Sequence, residues 1–369
     1  MMPMNILLAP DKFKGTFSAG RVCELMEKGI REVLPDADIT SCPVADGGDG
    51  FAGVMALQLG GEWVECQAQD AMGRKLVARY ALCGETAIME MSEASGIRQL
   101  DPGSLDPWRA TTYGTGQMMR HAIEQSGAKR IVMGIGGSAT NDGGCGMAAA
   151  LGVVFLDQNG ERLDPTPEAL AHCVKIDASK RVALPEVFVA CDVDNPLLGH
   201  QGAVRVYGLQ KGVTEDDIDG LEEVLARVVE LTGDQHLASL PGAGAAGGLG
   251  FGLLSFCNAA LVPGFELVAG EIGLMKKINA SDLVITGEGK YDLQTLSGKG
   301  PAGVAAMARE AGKPVMLIAG LIEEGVSTDI FDEVYSVHDP LRTLEETVKR
   351  GEELLVAKAA ELAMALGKK

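Results

Sequence analysis

Two acidic loops carry side chains suited to chemistry. Pro43-Val-Ala-Asp46-Gly-Gly-Asp49-Gly50 follows a short segment of strand character, and Cys191-Asp192-Val-Asp194-Asn195-Pro196 follows the apolar run 186–190. Phosphoryl transfer from a nucleoside triphosphate needs a divalent cation to neutralise charge, and Mg2+ prefers carboxylate oxygens plus water. The same reaction gains from a carboxylate that orients or deprotonates the attacking hydroxyl. Asp46, Asp192 and Asp194 could supply both functions. The simpler reading is that each Asp caps its own turn, which explains one such residue more readily than all of them together.

The basic residues sit in similar company. Lys12 and Lys14 lie in Pro10-Asp-Lys-Phe-Lys-Gly15, and Arg109 precedes Ala110-Thr-Thr-Tyr-Gly-Thr-Gly116. Lys211 lies in Gly208-Leu-Gln-Lys-Gly212, while Glu288, Lys290 and Lys299 share the loop-rich stretch 286–300. Lysine flanked by glycine is poor helix or core material and good anion-contact material. The competing reading for each is a solvated loop charge.

Two uncharged or nearly uncharged glycine-rich loops complete the set. One is Gly134-Ile-Gly136-Gly137-Ser138-Ala-Thr-Asn141-Asp142-Gly-Gly144, after an apolar run; the other is Pro241-Gly-Ala-Gly244-Ala-Ala-Gly247-Gly-Leu-Gly250. Glycine permits positive φ and close approach to backbone N–H groups. Where such a loop opens a helix, those donors and the helix dipole attract anions. Gly134-x-Gly136-x-x-Ala139, with Asp157 about 20 residues on, also matches a dinucleotide fingerprint. However, residues 140–146 intervene where that fold would already be helical. In the second loop Pro241 precedes the pattern and no clear strand does. No Lys is followed by Ser or Thr, so there is no Walker A loop, and the protein-kinase signatures, a Gly-x-Ser-x-Gly elbow and a His-Glu-x-x-His zinc site are also absent. Three functions therefore compete: a kinase, an NAD(P)-dependent hydroxy-acid dehydrogenase built on Gly134–Ala139, and a non-catalytic sensor of phosphorylated metabolites.

The elements that must position these residues are legible in outline. Apolar runs at 5–9, 130–133, 186–190, 282–286 and 314–319 each end in a polar or glycine-rich turn, as buried strands of a parallel sheet do. Ligands of open α/β sheets bind at the carboxyl ends of such strands. Ser18 predicts the cap of a first helix with Val22, Leu25, Met26, Ile30 and Val33 on one face. A short strand is expected within 36–43, a helix near 300–311 and a strand near 334–337. Residues 341–366 read as one helix with Leu344, Val348, Leu355 and Leu362 inward. Between 63 and 87 polar and apolar residues alternate, which suits antiparallel strands with one wet face. The chain is thus expected to be α/β, with a parallel domain made of both chain ends, 1–65 and 275–369, and a mixed α/β domain, 66–274, inserted into it.

Taken jointly, the segments 9–15, 43–50, 110–116, 134–144, 190–197, 241–248 and 285–289, in that order along the chain, resemble the bacterial glycerate kinase family. The resemblance spans essentially the whole sequence. It implies two α/β domains, one flavodoxin-like with the other inserted into it, and an active site in the cleft between them. It implies phosphorylation of D-glycerate by ATP with Mg2+, the 2-phospho product being associated with bacterial members of this type; a 3-phospho product is the alternative. On that reading Asp192 and Asp194 hold Mg2+, Asp46 orients or deprotonates the C2 hydroxyl, and Lys14 or Arg109 binds the glycerate carboxylate. Asp46, Asp192 and Lys14 are the catalytic candidates. Lys12, Gly136, Gly137, Ser138, Asn141, Asp142, Lys211, Gly244, Gly247, Glu288 and Lys290 are the further substrate and phosphate contacts. Which glycine-rich loop takes ATP stays open. Two departures stand out: Leu209, where the family commonly has Pro, and Asp49, where it often has Glu.

Bulk properties bound the partners. A net charge of −19 over 369 residues argues against nucleic acid, which calls for a basic face. Glycine, at 49 residues, is close to twice the usual ~7% and has no collagen-like period. Eight scattered cysteines without zinc-ligand spacing read as reduced, mostly buried thiols of a cytoplasmic protein. The N-terminal residues lack a charged region and cleavage site typical of a secretion signal. The uncharged stretch 242–265 reads as a buried helix after a tight loop, not a membrane span. Small-molecule substrates are the expected partners, as a monomer or a homodimer.

Overall fold

A computed structural model of the chain describes residues 4–293, 295 and 300–367. Its strands begin with β1 (Asn5–Leu8), β2 (Asp38–Ser41), β3 (Glu62–Gln69), β4 (Lys75–Cys83), β5 (Thr86–Glu90) and β6 (Arg130–Gly134). They continue with β7 (Val154–Leu156), β8 (Lys175–Asp177), β9 (Glu186–Ala190), β10 (Ala260–Val262), β11 (Leu283–Tyr291), β12 (Val315–Ile322) and β13 (Glu333–Ser336). The chain divides into a terminal unit, 1–46 with 264–369, and an inserted unit, 47–263. These boundaries differ from the expected 65/66 and 274/275. Residues 47–65 belong with the insert because β3 pairs along its length with β4, from Glu62 against Leu82 to Gln69 against Lys75.

In the terminal unit five strands lie in the order β13-β12-β11-β1-β2, all parallel. Counted within this unit the order is 2-1-3-4-5, the flavodoxin-like arrangement, whose topological switch point lies between β1 and β11. The apolar runs predicted as strands are buried: Ile6 to Leu8, Leu283 to Ile285 and Val315 to Ala319. The helix Ala19–Val33 begins as predicted, with the Ser18 hydroxyl accepting from the Arg21 N–H at 3.3 Å. Its Val22, Leu25, Met26 and Ile30 are buried in one core with Leu355, Ala359 and Leu362. Gly29 makes that helix pairing possible, since a Cβ there would stand 2.2 Å from the Val356 carbonyl oxygen.

The single helix expected over 341–366 is two, Leu344–Lys349 and Gly351–Leu366. Thr343 starts the first with a capping box to Glu346. Arg350, at φ −102° and ψ 13°, breaks the run. Leu355 and Leu362 face inward as predicted, whereas Leu344 and Val348 are 56% and 48% exposed. The break resets the helical phase, so one periodic stripe cannot serve both segments.

The inserted unit holds a six-stranded sheet, β10-β9-β6-β5-β4-β3. β5, β6, β9 and β10 pair in parallel, while β3, β4 and β5 form an antiparallel meander. The alternation read from 63 to 87 is this meander: Cys66, Ala68, Ala78 and Tyr80 are buried on one face. β7 and β8 form a separate antiparallel pair. Among the described residues no helix is long and apolar enough to cross a membrane. All eight cysteines are free thiols, six of them buried.

Candidate active site

The terminal unit gathers charge at its switch point. β1 and β11 are stitched where they end: the Thr286 hydroxyl donates to the Ala9 carbonyl at 2.8 Å, and the Asp11 N–H donates to the Gly287 carbonyl at 2.8 Å. Asp11 therefore emerges beside Glu288. A cavity of about 300 Å³ opens here, its lining including Asp11, Lys12, Lys14, Asp46, Glu288, Lys290, Asp292 and Thr295. Lys12 Nζ lies 3.3 Å from Asp46 Oδ1 and 4.0 Å from Asp11 Oδ1. Lys14 is exposed and makes no ion pair among the described residues. Lys290 pairs with Glu323 and, at 3.4 Å, with Asp292.

The electrostatics of this cavity are strained toward cations. Burial raises the Asp11 carboxyl to about 6, with Lys12 opposing and Asp46 adding to the rise. Burial likewise raises Glu288 to about 8; the Thr295 hydroxyl opposes, and the carboxylates of Asp11, Asp292 and Asp46 push further upward. Glu288 Oε1 is buried without a hydrogen-bond partner among the described residues. Crowded carboxylates of this kind are relieved by a proton or by a cation.

In the inserted unit the two glycine-rich loops are packed on each other. The Gly143 N–H donates to the Gly247 carbonyl at 3.1 Å. Gly247, at φ +69°, has no room for a side chain: a Cβ would fall 1.8 Å from the Thr140 carbonyl oxygen. Gly244 packs on the acidic loop after β9, where its N–H donates to the Asn195 carbonyl at 2.9 Å. Much of the glycine in these loops thus serves backbone-to-backbone packing as well as any anion contact. Ala246, Gly247 and Gly248 are all left-handed, so the regular part of the following helix starts after them.

Asp142 anchors this assembly. It is fully buried and accepts from the Thr112 N–H (2.7 Å), the Thr112 hydroxyl (2.8 Å), the Thr111 hydroxyl (3.3 Å), the Gly146 N–H (3.0 Å) and the Gly144 N–H (3.1 Å). Burial holds its carboxyl above the usual range against those donors. Its oxygens are committed to holding the loop. Lys211 is fully buried as well, with Nζ donating to the Thr140 carbonyl at 2.9 Å. Beside that carbonyl, Thr140 Oγ1 and both polar atoms of the Asn141 amide are buried without hydrogen-bond partners among the described residues. Buried polar groups are rarely left so.

The remaining predicted residues fall around these centres. Gly137, at φ +72°, and Ser138 are pinned by the segment before them: the Ile97 N–H donates to the Gly137 carbonyl at 2.9 Å, and Ser138 bridges Gly96. A Cβ on Gly136 would stand 3.1 Å from Gly48 Cα. Asp192 is half-buried and Asp194 exposed in the loop after β9. Arg109 is exposed on the segment leading to Thr111 and Thr112. Lys299 lies outside the described residues. The dinucleotide reading finds no support in the fold: Asp157 follows β7, outside the six-stranded sheet, and caps its own turn by accepting from the Asn159 and Glu161 N–H groups at 2.9 and 2.8 Å.

Sequence reasoning missed three participants. Asp11 was in view beside Lys12, and its place directly after a buried strand was the available signal. Glu90, at the end of β5, accepts from the Gly50 and Ala52 N–H groups at 3.1 and 3.0 Å and so fixes the loop after Asp49. Thr112 holds Asp142, and only a fold could reveal that partnership.

A parallel 2-1-3-4-5 sheet bearing a carboxylate–lysine cavity, with a mixed sheet inserted into the chain, makes this an α/β enzyme suited to small anionic substrates. The sequence model of the glycerate kinase family matches residues 6–367. A glycerate kinase of Halalkalibacterium halodurans is 41% identical over 371 residues, covering 98% of this chain and 97% of that protein. The glycerate 2-kinase of Escherichia coli K12 is 40% identical over 357 residues, 94% of this chain and 93% of that one. A crystal structure from Salmonella typhimurium LT2, provisionally named glycerate kinase 2, superposes with a TM-score of 0.90 at 40% identity and covers 99% of both chains. The chain belongs to the glycerate kinase family. It is therefore a phosphotransferase with an alcohol group as acceptor.

Proposed function

We propose that this enzyme transfers the γ-phosphoryl group of ATP to the C2 hydroxyl of D-glycerate, giving 2-phosphoglycerate and ADP. Family membership supports ATP-dependent phosphorylation of glycerate, and the name of the Escherichia coli relative supports the C2 position. The structural observation that carries the reading is the cavity at the β1/β11 switch point, where carboxylates and lysines converge.

Asp46 is the group assigned to the acceptor. Its carboxylate takes the proton as the C2 oxygen attacks the γ-phosphorus and the bond to the ADP oxygen breaks. Lys12, 3.3 Å away, holds that carboxylate in place. Lys14, exposed and outside any ion pair among the described residues, contacts phosphate or the glycerate carboxylate. In the insert, Asn141 and Lys211 offer buried polar atoms to an anionic substrate. Asp142 acts through them by fixing their loop, and Gly136, Gly137, Ser138, Gly244 and Gly247 shape it. Arg109 is a second candidate for the glycerate carboxylate.

The residues present also fit Mg2+. Glu288 presents a buried oxygen with no hydrogen-bond partner among the described residues, beside Asp11, and both are hard oxygen donors. Mg2+ takes one or two carboxylates and completes its shell with water and phosphate. Asp11 and Glu288 would hold it; Asp192 and Asp194 are the second set. When bound, the ion neutralises charge on the transferring phosphoryl group.

Asp46→Asn and Asp192→Asn test these roles in an assay of ADP release with glycerate. The reading predicts that kcat falls by well over tenfold in Asp46→Asn. If both variants stay within about tenfold of wild type, a barrier change under ~1.4 kcal/mol, the assignments are wrong.

A further inference from the structure

Beside the carboxylate cavity of the terminal unit lies a second one of about 230 Å³, and its walls are apolar: Phe17, Leu321, Val337, Leu344 and Val348. It sits at the carboxyl ends of β11 and β12, with Val337 just past β13 and Phe17 in the loop after β1. Lys14, Gly289 and Lys290 line both cavities, so a single elongated ligand can run from one into the other past those residues. Glycines line this second cavity, and a Cβ would crowd its neighbours at two of them. A Cβ on Gly320 would stand 2.4 Å from the Gly289 carbonyl oxygen, and one on Gly351 would stand 3.0 Å from the Phe17 ring.

Of the two substrates, glycerate is polar throughout and has nothing to place in an apolar groove. Only the nucleotide couples an apolar, stackable ring system to a polyanionic tail. The tail would meet Lys14, whose charge has no partner among the described residues, and the ring would meet the half-buried face of Phe17. Stacking of a base on an aromatic side chain is tolerant of base identity and favourable. Pockets for small ligands commonly combine such apolar walls with a few charged groups.

We infer that the groove between Phe17, Val337, Leu344 and Val348 is the nucleoside pocket, with the phosphates of ATP running past Lys14 and Lys290 into the carboxylate cavity. The inference rests on the kinase reading above and settles what that reading left open, since it places the base on the terminal unit and not on the glycine-rich loops of the insert.

Photolabelling of the full-length protein with 8-azido-ATP, mapped by mass spectrometry, tests this together with Leu344→Glu and Val348→Glu. Both side chains are largely exposed, so the variants should fold. The expected result is label within 13–17 or 337–351, and a KM for ATP raised about tenfold or more in both variants while the KM for glycerate stays within about threefold. Label confined to 134–146 or 241–250, with an unchanged KM for ATP, overturns the inference. So does a change of oligomeric state in sedimentation with an unchanged KM for ATP, which would make the groove a contact between copies of the chain. Wild-type protein that labels in the groove but releases no ADP with glycerate would uphold the pocket and refute the acceptor.

Discussion

The ammonium of Lys211 donates to the carbonyl oxygen of Thr140 across 2.9 Å, although 71 positions separate them in the chain. The contact fixes a buried cation against the first glycine-rich loop, beside Asp142 and the Asn141 amide, which has no hydrogen-bond partner among the described residues. Burial lowers the Lys211 ammonium to about 7, and Asp142 opposes that fall. Between about 7 and 10.5 the unfolded chain therefore binds more protons at this site than the folded one. Stability should rise with pH across that window. Lys211→Met should flatten this rise, leave stability at pH 7 equal or higher, and lower kcat/KM about a hundredfold. Urea unfolding at several pH values, paired with steady-state kinetics, measures both. Loss of stability at pH 7 with full activity would show that Lys211 is a structural residue.

Asp142 should behave in the opposite way. Asp142→Asn places an amide NH2 among five donors that now converge on a carboxylate. We expect a loss of about 2–4 kcal/mol by urea unfolding, accompanied by loss of activity. An unfolding midpoint within error of wild type would remove Asp142 as the anchor of the loop.

The Asp11–Glu288 pair makes a pH prediction for the metal-free protein. Both folded-state values are raised, to about 6 and about 8, over ordinary values of 3.8 and 4.5. The folded state then holds the extra protons, so stability falls as pH rises from about 4 to 8. Glu288→Gln should remove most of the fall above pH 6. Mg2+ added at pH 7.5 should raise the wild-type Tm and leave the variant's Tm nearly unchanged. Equal Mg2+ shifts in both proteins would move the ion's site away from Glu288.

The sequence made the strands of the parallel sheet legible because buried strands read as short apolar runs closed by turns. It made the insertion legible because the alternation around Cys66, Ala78 and Tyr80 has a period of two. Two features were hidden for physical reasons. The break at Arg350 has no side-chain cap of its own, and Thr343 caps only the segment before it, so the long apolar stripe reads as continuous. The mutual packing of Gly247 on Thr140 joins segments about a hundred residues apart, and glycine spacing alone cannot distinguish a loop built to hold an anion from one built to pack against another loop. The lysines beside Asp11 drew attention to that segment, yet the depth of Asp11 itself depends on strands β1 and β11 meeting.

The most direct test of the account is the product itself. Purified protein incubated with ATP, Mg2+ and D-glycerate should release ADP and form one phosphate ester in equal amount, identified by phosphorus and proton NMR as 2-phosphoglycerate. Formation of 3-phosphoglycerate, or ADP release without any glycerate ester, would contradict it.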